Sequence, residues 1–437
     1  MTQSKNRTLL KNIASLGIVQ IVNYIFPLIT IPYLSRIIGP DGFGIINYIT
    51  AFVSYFILVI NYGFDFTATR KIAVDPDNLE VRSKVFSEVT CARFLLLVVS
   101  IISFAVFIIV IPLLNKNIEL SLILFLNVIS ALLTPQYVFQ GLQKLPVLSL
   151  TNLLKGVINA ALIFLLISKK DDIMLYVSIG VFSNFIISII SLLYVIFIIK
   201  IKFVFYSIRH SLSLLNEAKS VFFSSIVFSL YTTTNIIILG LFEQTKIIGY
   251  YTTAVSFIII IQSVVNIPLS SSLYPYIGRA FSESQENGIN KLRKIVPLIF
   301  YFTAFVCLGI LILAPIIIVL IYGEKFEGSI ISAQILSFLP LISAMSSLMG
   351  IQTMLNLKMD NLFLKITSFA ACFSVVCNLI LGYFFSYIGT SISYLLTELL
   401  ICFSFYFILK NKGLILFQGD NFKLKNVLLQ IKNIKNI

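Results

Sequence analysis

Residues 44–73 read GIINYITAFVSYFILVINYGFDFTATRKIA. The part from 44 to 64 is almost wholly apolar and matches the roughly 20 residues that one membrane-spanning helix needs. It then runs into Asp65, Arg70 and Lys71. A helix turns about 100° per residue, so positions three, four and seven apart share a face. That geometry lines up Asn47, Ser54, Asn61 and Asp65, with Tyr48, Tyr55 and Tyr62 along the adjoining edge. Lipid rejects such a face, which must meet protein or water instead. The stretch therefore predicts a spanning helix with a polar track that ends in charge.

The rest of the chain repeats the pattern. Of 437 residues, 58% are hydrophobic and 11% charged, and the mean hydropathy is +1.00. Soluble domains carry about 25% charged residues. The composition thus points to an all-α polytopic membrane protein. With no Trp present, Tyr is left to anchor the interfaces. About twelve apolar runs qualify as spans, at 13–35, 44–64, 87–112, 119–140, 146–168, 173–199, 217–240, 247–273, 294–321, 329–355, 361–384 and 388–409. Connections are short, which leaves no room for a soluble domain. The first run is too long for a signal peptide and is read as a retained span.

Basic residues orient these runs. With the N-terminus in the cytoplasm, 26 of the 32 Lys and Arg fall on the inner side, as the positive-inside rule requires. Both termini are then cytoplasmic. The longest inner loop, 200–220, separates an N-terminal half (1–199) from a C-terminal half (221–410) and a basic tail (411–437). IIGPDGFGIINY (37–48) and ILGLFEQTKIIGYY (238–251) join the first two spans of each half and are weakly alike. Six spans per half make a parallel repeat, an arrangement of secondary transporters with a site between the halves.

Three further spans carry polar stripes. Span one groups Gln20, Asn23, Tyr24 and Pro27; span seven groups Glu217, Ser225, Ser229, Thr232 and Asn235; span eight groups Thr252, Ser256, Ser263, Asn266 and Ser270. Such residues serve as glue between helices or line a wet cavity, and both readings stand. Charge inside a span costs about 2.5–3.5 kcal/mol on insertion scales. Asp65 and Glu398 are therefore candidate cavity acids for gating or ion coupling, or else helix-end caps and ion-pair partners. Glu88, a further candidate for gating or ion coupling, and Arg93 open span three, Lys155 lies inside span five, and Arg36 ends span one. Pro27 and Pro32 interrupt span one and are candidate kinks in a gating helix.

Several function classes drop out. There is no nucleophile–base–acid set, Walker loop or GxGxxG, so neither an enzyme nor an ATP-driven pump is expected. The five cysteines lie in apolar runs and His210 is the single histidine, so no metal site and no cofactor are expected. The net charge of +14 is spread between apolar runs rather than gathered with aromatics, which argues against nucleic acid.

IPYLSRIIGPDGFGIINY at the first hairpin and GFDFTATRKIA after span two resemble Wzx-type O-antigen flippases. These are polysaccharide-export members of the multidrug/oligosaccharidyl-lipid/polysaccharide exporter superfamily. QGLQKLPVLSLTNLLK (140–155) and SSLYPYIGRA (271–280) are similar to the family's stretches after spans four and eight. The resemblance implies two six-helix halves forming a V around a central cationic cavity. It implies movement of an undecaprenyl-pyrophosphate-linked oligosaccharide across the bacterial inner membrane by alternating access, with an O-antigen polymerase or chain-length machinery as a candidate associate.

The physical reading supplies matching residues. Arg70, Arg93, Lys155, Arg279 and Arg36 are candidate pyrophosphate ligands, since guanidinium suits phosphate oxygens. Asn23, Tyr24, Asn47, Tyr55, Asn61, Tyr62, Ser263 and Asn266 are candidate sugar contacts. A drug antiporter of the same superfamily would favour acids over bases in the cavity. A lipid II flippase would carry extra spans, and a membrane glycosyltransferase would need a large outer loop. A capsular or teichoic precursor exporter fits the same residues.

Overall fold

A computed structural model describes residues 2–268 and 273–423. The side chains of Asn23, Tyr24, Pro27 and Asn266 lie outside the described residues, as do those of the basic N-terminus. The chain is helical, with no strand among the described residues, and divides into two compact units, 1–229 and 230–437.

Unit 1 holds α1 (Thr2–Asn61), α2 (Phe64–Val74), α3 (Leu79–Val110), α4 (Pro112–Lys116), α5 (Ile118–Leu133), α6 (Gln136–Gly141), α7 (Leu145–Leu166) and α8 (Ile173–Leu193). It also holds most of α9 (Ile208–Thr232). Unit 2 holds α10 (Thr234–Phe242), α11 (Thr245–Pro268), α12 (Tyr274–Glu283), α13 (Gln285–Tyr322), α14 (Ser329–Leu336), α15 (Leu339–Met349) and α16 (Asp360–Asn411). Among the described residues, nine helices are long and apolar enough to cross a membrane, or ten if the bent pair α9 and α10 is one span. Two of the nine are 46 and 52 residues long, more than twice what one crossing needs. The architecture is therefore an all-α membrane-spanning chain consistent with twelve crossings.

Both long helices contain a break. In α1 it falls at Gly39, with φ 72° and ψ 180°. The backbone at Pro27 and Pro32 is helical, so the non-helical point follows both prolines. In α16 the break is at Ser386, with φ 56° and ψ −142°. There the chain turns back on itself. A Cβ on Gly389 would sit 1.9 Å from the Leu381 carbonyl oxygen, and Ser393 Oγ donates to Ser374 O at 3.4 Å. In a straight helix, eight residues span about 12 Å. Glycine at 389 is what lets the two arms approach.

One expectation changes at the end of span two. The stripe through Asn61 and Asp65 assumed unbroken helix. Instead α1 stops at Asn61, and Tyr62 (φ 43°) and Gly63 (φ 78°) take left-handed conformations before α2 begins. Gly63 tolerates that conformation at no steric cost. Asn78 then caps α3, its side chain accepting from the amides of Glu80 and Val81 at 3.0 and 3.2 Å.

The outer surface is apolar: Ile109, Leu165 and Phe305 are each more than 70% exposed. Apolar residues exposed along whole helices suit contact with lipid rather than water. Inside unit 1, Leu34 and Ile38 of α1 pack against Ile163, Ile167 and Ile179.

Candidate functional site

Arg93 organises the interior of unit 1. It lies on α3, is 1% exposed, and its guanidinium reaches four elements. Nη2 donates to Asn61 Oδ1 at 3.3 Å and to Asp65 Oδ1 at 3.4 Å. Nη1 donates to the carbonyls of Thr134 and Ala131 at 3.1 and 3.4 Å. Those carbonyls close the C-terminus of α5, the negative end of a helix dipole. The Tyr137 ring lies 5.1 Å from the guanidinium carbon, a cation–π distance. Asn61 and Asp65 thus still converge, although the helix between them is broken. The guanidinium joins them across the break.

Three more contacts fasten α2. Lys71 Nζ donates to Glu217 on α9 at 2.8 Å. Thr69 Oγ1 sits 2.6 Å from the Asp65 carbonyl and 3.2 Å from Gln140 Oε1. Gly141 abuts Ile72 so closely that a Cβ there would lie 2.7 Å from the isoleucine side chain. One α-turn before Arg93's own turn, buried Glu88 meets His210 Nε2 at 3.0 Å. A buried carboxylate needs such a partner.

The other candidate residues are dispersed. Arg70 is exposed on α2, Lys155 is half-buried on α7, and neither pairs with a carboxylate among the described residues. Arg36 is exposed near the Gly39 break, and Arg279 is exposed on α12 in unit 2. Tyr55 Oη donates to the Ser229 carbonyl at 3.0 Å. Tyr62 stacks on Phe222, ring centroids 4.1 Å apart. Asn47 is half-buried. Ser263 turns its hydroxyl back onto Ile259 O at 2.7 Å, and Pro32 sits in helical α1.

Unit 2 has a neutral counterpart to the Arg93 cluster. Asn378 Nδ2 donates to Asn235 Oδ1 at 3.0 Å, and Asn235 donates to Tyr231 O at 3.1 Å. Both asparagines are fully buried. Glu398 is half-buried on α16, within electrostatic reach of Tyr231 and Tyr394.

The sequence offered Arg93 as a candidate pyrophosphate ligand and gave Lys71 and His210 no partner. The structure gives each a specific partner. The signals that would find them are weak: Lys71 and Glu217 are 146 residues apart, and Glu88 and His210 are 122 apart.

The polysaccharide biosynthesis protein family matches residues 9–281. A protein of Escherichia coli (strain K12) named "Putative O-antigen transporter" is 29% identical over 397 residues, covering 90% of this chain and 95% of its own length. One of the same name from Shigella dysenteriae is 25% identical over 405 residues, covering 90% and 97%. Among solved structures, the lipid II flippase MurJ in an inward closed conformation superposes with a TM-score of 0.72 at 14% identity, covering 98% of this chain and 92% of that one. An inward-facing multidrug resistance transporter of the MATE family, in the MOP superfamily, gives 0.64 at 15% identity, covering 92% and 98%. At those identities the likeness is one of fold.

Proposed function

This chain belongs to the polysaccharide biosynthesis protein family, and we propose that it is a flippase for a lipid-linked saccharide. The substrate would be an O-antigen or related repeat unit on undecaprenyl pyrophosphate. It would pass from the cytoplasmic to the periplasmic leaflet of a bacterial inner membrane by alternating access. The names of the two relatives over nine-tenths of the chain support that class, and the basic residues support a cytoplasmic N-terminus.

The observation that carries the mechanism is the division of labour among cations in unit 1. Arg93 is committed to the interior, whereas Arg70 and Lys155 have no carboxylate partner among the described residues. A pyrophosphate recruits cations that are not already neutralised. We assign Arg70 and Lys155 to first contact with the headgroup. Arg93, paired with Asp65, is left to hold the interior of unit 1. Tyr and Asn side chains of α1 would meet the sugar.

Deleting the gene tests the class. Lipid-linked repeat units should accumulate on the inner leaflet while surface polysaccharide disappears, and the wild-type gene should restore it. Neutralising Arg70 and Lys155 together should lower surface polysaccharide at unchanged protein level. Full export by that double variant would remove both from the proposed site.

A further inference from the structure

The segment between α8 and α9 has no helix of its own. Lys200 turns the chain at φ 62°, and Ile201 N–H reaches Val195 O at 3.3 Å. Beyond it the amides of Lys202, Val204 and Tyr206 all find side chains on α3. Lys202 N–H donates to Ser83 Oγ at 3.0 Å, Val204 N–H to Ser87 Oγ at 3.0 Å, and Tyr206 N–H to Cys91 Sγ at 3.4 Å. The acceptors are four residues apart on one face of a helix, about 6 Å per step. The donors are two apart in extended backbone, about 6.6 Å per step. The spacings match closely enough for three consecutive rungs. Ser87 Oγ donates back to Ser83 O at 2.7 Å, which leaves its lone pairs free to accept from the Val204 amide.

The ladder has a physical reason. Phe205 is 81% exposed, and extended backbone with no strand partner must find its hydrogen bonds elsewhere. Side chains of α3 take the place of a neighbouring strand.

The strap then leads into α9. Ser207 Oγ accepts from His210 N–H at 3.4 Å, the Tyr206 and His210 rings lie 4.7 Å apart, and His210 pairs with Glu88 on the same helix as the ladder. Further along α9, Glu217 takes Lys71, Phe222 stacks on Tyr62, and Val221 fills the space beside Gly63.

We propose that Ser83, Ser87 and Cys91 are positioning residues. They moor the 201–206 strap and, through it, register the first turns of α9 against the Tyr62–Gly63 break that aims α2. The mooring stands on geometry alone; its consequence for transport rests on the flippase reading.

Amide hydrogen exchange by NMR on the full-length protein in detergent micelles tests the mooring. In the wild type, the amides of 202, 204 and 206 should exchange at least about tenfold more slowly than those of 203 and 205, which is one hydrogen bond's worth of protection. The S83A/S87A/C91A variant should lose that alternation. Uniform exchange along the wild-type strap overturns the mooring whatever the protein transports. In cells, V204P removes a rung and F205P does not. V204P and the triple variant should lower surface polysaccharide several-fold at equal membrane level, with F205P near wild type. Equal export by V204P and F205P would overturn the positioning role while leaving the exchange result intact. Gene deletion without effect on polysaccharide would count against the flippase reading instead.

Discussion

Unit 1 buries a charge and unit 2 buries a pair of amides. Arg93, 1% exposed, depends on Asp65, which is 27% exposed, together with two helix-end carbonyls, an amide and a ring. Asn235 and Asn378, at 0% exposure, depend on each other and on one carbonyl. The difference is one of responsiveness. A buried cation whose one carboxylate partner among the described residues is part-exposed can feel a new anion that arrives there. A neutral amide pair cannot, and fixes one packing of its helices whatever binds. On the flippase reading proposed above, unit 1 holds the charge network that an arriving anion would disturb.

Removing the cation should have the largest effect. Arg93→Ala leaves Asp65, Asn61 and two carbonyls without their shared donor, and breaking a buried pair by taking one partner costs about 3–5 kcal/mol. Asp65 keeps some solvent, so about 3 kcal/mol is expected, read as a lowered midpoint of thermal unfolding in detergent. Asp65→Asn is the sharper variant. It keeps the shape and one acceptor and leaves Arg93 buried without its counter-charge, for about 2 kcal/mol. If the two substitutions cost the same as Asn378→Ala, the contrast between the units would be wrong.

Much of this was legible in the sequence, and the boundary is instructive. Apolar runs of the right length predicted the helices because lipid leaves few alternatives. The stripe from Asn47 to Asp65 was visible because helical periodicity is local. Its geometry was misread at Tyr62 and Gly63, since nothing in a window of apolar residues shows where two left-handed residues will end a helix. The roles of Arg93, Glu88 and Lys71 were hidden for a different reason. Their partners stand 28 to 146 residues away, and only the packed bundle brings them together. Ser83, Ser87 and Cys91 lie between these extremes. Their four-residue spacing was in the sequence, but the strap that reads it was not.

Asn378→Ala tests the neutral side. Polar contacts between membrane helices are worth about 0.6 kcal/mol on average and up to about 1.7. Here the loss also orphans the Asn235 carbonyl oxygen, so about 1.5 kcal/mol is expected in the same unfolding assay. Transport should fall only in proportion to folded protein, because no charge has changed.

The smallest effect belongs to the pair that resembles Arg93–Asp65 in chemistry but not in burial. Lys71 and Glu217 meet at 2.8 Å, yet their side chains are 36% and 56% exposed. Exposed pairs contribute about 0.2–1 kcal/mol, because water screens both charges and two long side chains must be held in place. Lys71→Met should therefore cost about 0.5 kcal/mol, and the Lys71→Met/Glu217→Met double variant little more than either single one. High salt should shrink even that cost, while taking a smaller share of the Arg93→Ala deficit because the guanidinium is 1% exposed and Asp65 27%. A salt titration of the two deficits side by side thus separates burial from distance. If both faded equally with salt, Arg93 would be in contact with bulk water, and its assignment to the interior would have to be given up.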